Sequence, residues 1–186
     1  TLFVMFDTSR MRGVGYGYFN TTDANSASSL VQDYKICSWS SATNNNIKSE
    51  SKTYRVGSRT ARTYSVNYCD VSASTYNGLN NTYKTRIANE CVSTGTNTYK
   101  CYDRLSRLKM ALVQVLSSNE ISNSVRIGLG QFSTPTVNTK TVNNRTGLVE
   151  YGHDSRSGRV IYPVVPLTEA NREILINIMV GLESYN

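Results

Sequence analysis

The chain has 186 residues, enough for one substantial core or for one domain carrying a large insertion. Only 39% of it is hydrophobic and 18% charged, and Ser, Thr, Asn and 13 Tyr fill the difference; disorder couples low hydrophobicity to high charge, so this composition describes an ordered, loop-rich protein with a polar surface. The net charge of +7 favours acidic partners without naming one, and no apolar run reaches the ~18–20 residues of a membrane span.

The opening "TLFVMFDTSRMRG" is apolar through Phe3, Val4, Met5 and Phe6 and then turns to Asp7, Thr8 and Ser9. That order predicts a buried strand that delivers an acid and two hydroxyls to the rim of a sheet. The chain starts without methionine, inside an apolar run and with no signal peptide, and so reads as a processed protein or an excised fragment.

Residues 13–102 are polar and turn-rich, with "GVGYGYF", "SWSSATNNN" and "VSTGTNTYK" as loop signals, and are expected to be irregular. The glycines of "GVGYGYF" precede no helix, so they do not build a phosphate site. This segment holds all four cysteines, Cys37, Cys69, Cys91 and Cys101, with no C-x-x-C pair, and the chain has a single histidine, His153. Structural zinc therefore has poor spacing and few partners, and two disulfides in an oxidising compartment fit better. Three pairings are open. Cys91–Cys101, which closes a short loop, is favoured and leaves Cys37–Cys69.

The same segment carries a basic run: Lys48, Lys52, Arg55, Arg59 and Arg62 against Glu50, with Tyr54 and Tyr64 between them. It reads first as a solvated β-ribbon edge whose charges prevent edge pairing. An acidic glycan or an anionic cell surface could use the same charges. Nucleic acid, for which arginines meet phosphates and aromatic rings stack on bases, is the weakest of the three.

Regular patterning returns over residues 103–186. "DRLSRLKMALVQVLSS" spaces Leu105, Leu108, Leu112, Val115 and Leu116 for a helix, with Asp103 as its N-cap. "NSVRIGLGQF" alternates Val125, Ile127 and Leu129 with Arg126, Gly128 and Gly130, predicting a strand bent at its glycines. A polar stretch leads to the extended "VIYPVV". A second helix then opens at Pro166 and Thr168, carries Glu169 in its first turn and ends near Gly181, with Ile174, Leu175, Ile178, Met179 and Leu182 expected on its core face. Ser9 and His153, even with Asp154 adjacent, make no catalytic arrangement, because no G-x-S-x-G elbow precedes a helix; an enzyme is not expected.

Strands alternating with helices imply an α/β open sheet with flanking helices, interrupted by a long, loop-rich, disulfide-bearing insertion. In such sheets ligands sit at the carboxyl ends of strands, where Asp7 to Ser9 would lie. The strand "FVMFDTS", the helix "RLSRLKMALVQVL" and the strand "SVRIGLGQF" resemble the first half of a von Willebrand factor A domain, and "PLTEANREILINIMVGLESY" looks like its next helix. The Tyr-, Asn- and Cys-bearing excursion after the first strand resembles the N-terminal part of the PilC/PilY type IV pilus tip adhesins. On that resemblance, residues 1–12 and 103–186 form an incomplete von Willebrand factor A-like segment and residues 13–102 its insertion.

The resemblance implies a non-enzymatic adhesin, exported through the periplasm to the bacterial cell surface, pilus tip or outer membrane. Its partners would be a host-cell receptor or acidic glycan, together with pilin and minor pilin subunits; alternatives are a capping module docked on pilins and an extracellular nucleic-acid binder. The family's D-x-S-x-S site holds a divalent cation such as magnesium or calcium. Its aspartate matches Asp7 and its first serine Ser9, but its second serine position is Met11, a poor ligand for a hard ion, flanked by Arg10 and Arg12. Asp7, Thr8 and Ser9 are accordingly expected to cap loop amides, with no cofactor bound.

Overall fold

The computed structural model describes residues 1–7, 47–79, 91–132, 142–143, 148–149 and 159–182. The chain is mixed α/β and divides into two compact units: residues 1–10, 56–59 and 115–186 form one, and residues 11–55 and 60–114 the other. Residues 56–59 belong to the first unit, and most of the first long helix belongs to the second.

The first unit is built on a three-stranded sheet in the order β1-β6-β9. Strand β1 (Leu2–Asp7) runs parallel to β6 (Arg126–Phe132), from Leu2 opposite Ile127 to Asp7 opposite Phe132. Strand β9 (Arg159–Pro166) pairs antiparallel with β6, with register shifts between Ile127 and Gly130. The expected bend at the glycines is thus a bulged stretch of ladder.

The expected alternation of β6 does not persist as one buried and one exposed face, because Ile127 to Gln131 are all buried. A central strand is covered on both sides, and its glycines are part of that cover. A Cβ at Gly128 would lie 2.8 Å from Phe3 Cδ2 and 2.8 Å from Val164 Cγ2, so side chains from both flanking strands close over it. A two-stranded ribbon of β7 (Val142–Asn143) and β8 (Leu148–Val149) lies in the stretch expected to be polar and turn-rich.

Helix α3 (Glu169–Val180) begins as expected: the Thr168 hydroxyl accepts from Asn171 N (3.3 Å), and Gly181 caps the far end. Its buried face differs from the expected one. Leu175, Met179 and Leu182 are buried, but Ile176 is fully enclosed while Ile174 is 40% exposed. Apolar residues occur all around this helix, so more than one stripe fits the period. The polar pair Arg172 and Glu173, both buried, selects the one used.

Arg172 is the more demanding of the pair, at 2% exposure. Its Nε donates to Leu167 O (2.9 Å) and its Nη1 to Leu116 O (2.9 Å) and Ser118 O (3.0 Å). Nη2 reaches Ile121 O and Asn123 Oδ1. All five acceptors are neutral oxygens, and burial lowers the pKa of the guanidinium. Because a helix ends with unsatisfied carbonyls, this side chain serves as the cap for the helix that finishes at Ser117.

The second unit is a four-stranded antiparallel sheet in the order β2-β3-β5-β4. It comprises β2 (Ile47–Tyr54), β3 (Arg62–Ser72), β4 (Cys91–Ser93) and β5 (Thr98–Tyr102). The short helix α1 (Ala73–Asn77), capped by Ser72, follows β3. In the described part, the insertion is more regular than its composition predicts. Ser, Thr and Asn occupy outward positions of true strands, so the period of two is present with little hydrophobic contrast.

Strand β3 buries opposite faces along its length: Tyr64 and Val66 on one, Cys69 and Val71 on the other. The second face forms a small core of Cys69, Val71, Leu79, Cys91 and Cys101, edged by Tyr76 and Tyr99, whose rings stack 4.0 Å apart. Cys91 and Cys101 form a disulfide directly across β4 and β5, as the short loop suggested. Cys69 is also disulfide-bonded, and Cys37 lies outside the described residues.

Helix α2 (Arg104–Ser117) starts against this sheet. Asp103 caps it as expected, accepting from Ser106 N (2.6 Å), and the Ser106 hydroxyl in turn accepts from Asn67 N (2.7 Å) on β3. Leu105, Val113 and Leu116 are buried, whereas Val115 is exposed. Among the described residues no helix is long and apolar enough to cross a membrane.

Candidate binding face

Period two on β2 sends Lys48, Glu50, Lys52 and Tyr54 to one face of the sheet. Their register partners on β3 are Tyr68, Val66, Tyr64 and Arg62, and β5 continues the row by placing Tyr102 opposite Tyr68 and Lys100 opposite Asp70. The face thus gathers three lysines, two carboxylates and four tyrosines from three strands.

Glu50 is its centre. Lys100 Nζ donates to Oε2 at 2.7 Å, Lys52 Nζ lies 3.1 Å from Oε1, and the Tyr102 hydroxyl donates to Oε1. Burial alone would raise the pKa of Glu50, but the bonds from Lys100, Tyr102 and Lys52 outweigh it and hold the carboxyl at about 2. Lys100 and Lys52 are correspondingly raised, each mainly by its bond to Glu50. Burial, then the bond to Glu50, raises Tyr102.

A second pair completes the row, with Lys48 bonded to Asp70 and its pKa raised by that bond. The rings add a weaker layer. Lys100 Nζ sits 4.5 Å from the Tyr68 centroid and Lys52 Nζ 5.4 Å from that of Tyr102, within cation–π range, and Tyr68 meets Tyr102 edge to face.

This geometry revises the electrostatics of the basic run. Counted along the sequence, its cations face one acid, Glu50; in the sheet, Asp70 joins that acid and Lys100 joins the cations. Tyr54 and Tyr64 are buried at 7% and 9% exposure, 6.0 Å apart, and so do not offer open ring faces for stacking. Arg55 and Arg62 are exposed at the ends of β2 and β3. Arg59 belongs to the other unit, where its Nε bonds Glu173 Oε2 at 2.6 Å. Lys48, Lys52, Arg55 and Arg62 are therefore brought together in one unit and Arg59 is not.

Asp70, Tyr68, Lys100 and Tyr102 escaped the sequence reading because up to 52 residues separate them from Glu50. The signal that could have found them was the Cys91/Cys101 spacing. A hairpin at "STGTN" fixes β5 and places Lys100 and Tyr102 on one face; Gly95 and Asn97, with φ of 83° and 56°, make that turn.

Asp7 is exposed at the carboxyl end of β1, at a sheet rim as predicted. Thr8, Ser9, Arg10, Met11 and Arg12, like His153 and Asp154, lie outside the described residues. Among the described residues no three His, Cys, Asp or Glu side chains gather as metal ligands. The chain matches no protein-family model, no curated protein and no solved structure.

Proposed function

We propose that the chain is a non-enzymatic adhesin module in which an open-sheet scaffold displays the disulfide-bearing four-stranded unit as a recognition surface. The observation that carries this reading is the connection between parallel neighbours β1 and β6. A parallel crossover needs only a dozen or so residues and usually one helix, whereas residues 8–125 separate these strands and contain a second compact, cross-linked unit. An insertion of that size, cross-linked by a disulfide between β4 and β5, is suited to display in an oxidising environment.

The parallel pairing of β1 with β6 and the helix α3 that follows β9 support the partial von Willebrand factor A-like reading, and the disulfide-bearing excursion supports the narrower likeness to PilC/PilY type IV pilus tip adhesins. The module would act at the bacterial surface or pilus tip after export through the periplasm. It would engage a host receptor or acidic glycan and dock on pilin and minor pilin subunits. Buried Tyr54 and Tyr64 weigh against a base-stacking nucleic-acid site.

The test is binding of the purified chain to immobilised sulfated and sialylated glycans and to host cells. Arg55→Glu with Arg62→Glu should weaken binding by roughly tenfold or more and flatten its salt dependence, since fewer opposite charges then meet the ligand. Unchanged binding would refute this face as the contact.

A further inference from the structure

Three cysteines stand side by side across three strands. Cys101 on β5 is the register partner of Cys91 on β4 and of Cys69 on β3, and all three line the same small core. Cys91 and Cys101 are bonded, with Cα atoms 4.1 Å apart, the close approach of a non-hydrogen-bonded antiparallel pair. Cys69 and Cys101 form the other kind of pair. Asp103 N donates to Asn67 O at 3.2 Å, and stepping two residues along each strand from that bonded pair reaches Cys69 and Cys101. Such pairs stand about 5.5 Å apart between Cα atoms, inside the ~4.4–6.8 Å over which a disulfide closes. Cys101 is therefore in reach of a cysteine on either side.

We propose that these residues form a disulfide relay that moves a thiol from the buried centre of the sheet to its edge. A dithiol reductant opens the disulfide at Cys69, becoming a disulfide itself and leaving Cys69 and its former partner as thiols. Cys69 loses its proton to solvent and its thiolate attacks Cys101 Sγ. The Cys69–Cys101 bond forms, the Cys91–Cys101 bond breaks, and Cys91 leaves as a thiolate that takes up a proton. The exchange itself consumes no electrons.

The consequence is directional. Cys69 is fully buried, while Cys91 is 9% exposed on a three-residue strand at the edge of the described sheet. The exchange replaces the staple between β4 and β5 with one between β3 and β5. It frees the β4 hairpin and presents Cys91 as the thiol that an external disulfide can reach. This proposal is independent of the adhesin reading.

Limited reduction of the native full chain with dithiothreitol at about pH 8, acid quenching, alkylation and tryptic mapping test the relay. Cleavage after Arg62, Lys84, Arg86, Lys100 and Arg104 places Cys69, Cys91 and Cys101 on separate peptides. Chains that keep one disulfide are expected to carry Cys69 linked to Cys101, with label on Cys91 and lost from Cys69. Retention of Cys91–Cys101 with label on Cys69 would overturn the proposal, as would loss of Cys91–Cys101 alone. Cys37→Ser provides a second measurement without reductant: both Cys91–Cys101 and Cys69–Cys101 isomers are expected in it, and Cys91–Cys101 alone would refute the relay.

Discussion

Replacing Glu50 with Gln removes the charge at the centre of the sheet face while keeping the side chain's shape. Glu50 falls from an ordinary 4.5 to about 2 in the folded chain. At about 1.36 kcal/mol per unit, the folded state gains roughly 3 kcal/mol from the ionised carboxylate. Its side chain is 22% exposed and that of its partner Lys52 39%, so solvent screens part of this gain, and Gln can keep one of the three bonds; the expected loss is about 2 kcal/mol. Because the folded pKa is depressed, the stabilisation is complete above 4.5 and disappears as pH falls through about 2.

Urea denaturation followed by near-ultraviolet circular dichroism, with disulfides intact, should therefore show wild type more stable than E50Q at neutral pH. The two should converge on acidification across that window. Carboxyl NMR provides the direct check. A Glu50 titration near the ordinary value, or equal stability at neutral pH, would refute the argument that this carboxylate organises the face.

Arg172→Met should lower stability by roughly 3 kcal/mol or more, because several buried carbonyls lose their donor at once, and Arg172→Lys should fail to rescue it, since an ammonium cannot span five acceptors set around a planar fork. Gly128→Ala should cost roughly 1–3 kcal/mol, as its methyl meets Phe3 and Val164 at 2.8 Å; thermal denaturation reads it, and an unchanged midpoint would show that the sheet can open at no cost. Asp103 has its pKa raised by burial, against the pull of its bonds to Ser106, so its charge works against folding at neutral pH and less so as pH falls. Asp103→Asn, which can still cap α2, should be neutral or slightly stabilising at neutral pH, whereas Asp103→Ala should cost about 1 kcal/mol.

Elements whose signals are local were legible in the sequence. Thr168, Glu169 and Gly181 mark the ends of α3, Asp103 marks the start of α2, and the run from Phe3 to Phe6 marks a strand ending at an exposed acid. Signals that depend on pairing were not. The buried face of β3 switches between Tyr68 and Cys69, a change set by which neighbours cover each half and not by the strand's own period. The burial of Arg172 has no sequence signal, because its partners are mostly backbone carbonyls, which every residue carries and no sequence distinguishes. The basic run was legible as charge. Its geometry depended on Asp70 and Lys100, which only the register of three strands brings beside it.

That geometry also sorts which residues can report on binding. Lys52 and Lys100 are tied to Glu50, and Lys48 to Asp70, so a negatively charged ligand must compete with carboxylates already in place. Reversing charge at Lys100 would break the network that holds the sheet face, and any loss of binding would be mixed with loss of fold. Arg55 is exposed just beyond β2, outside that network, and is the cleaner probe. A face stiffened by its own ion pairs loses little side-chain freedom when a partner docks. Affinity should then respond to Arg55 without a change in stability, and to Glu50 only through the fold. If E50Q altered glycan binding while leaving the unfolding curve in place, the lysines themselves would be the contact and the network its regulator.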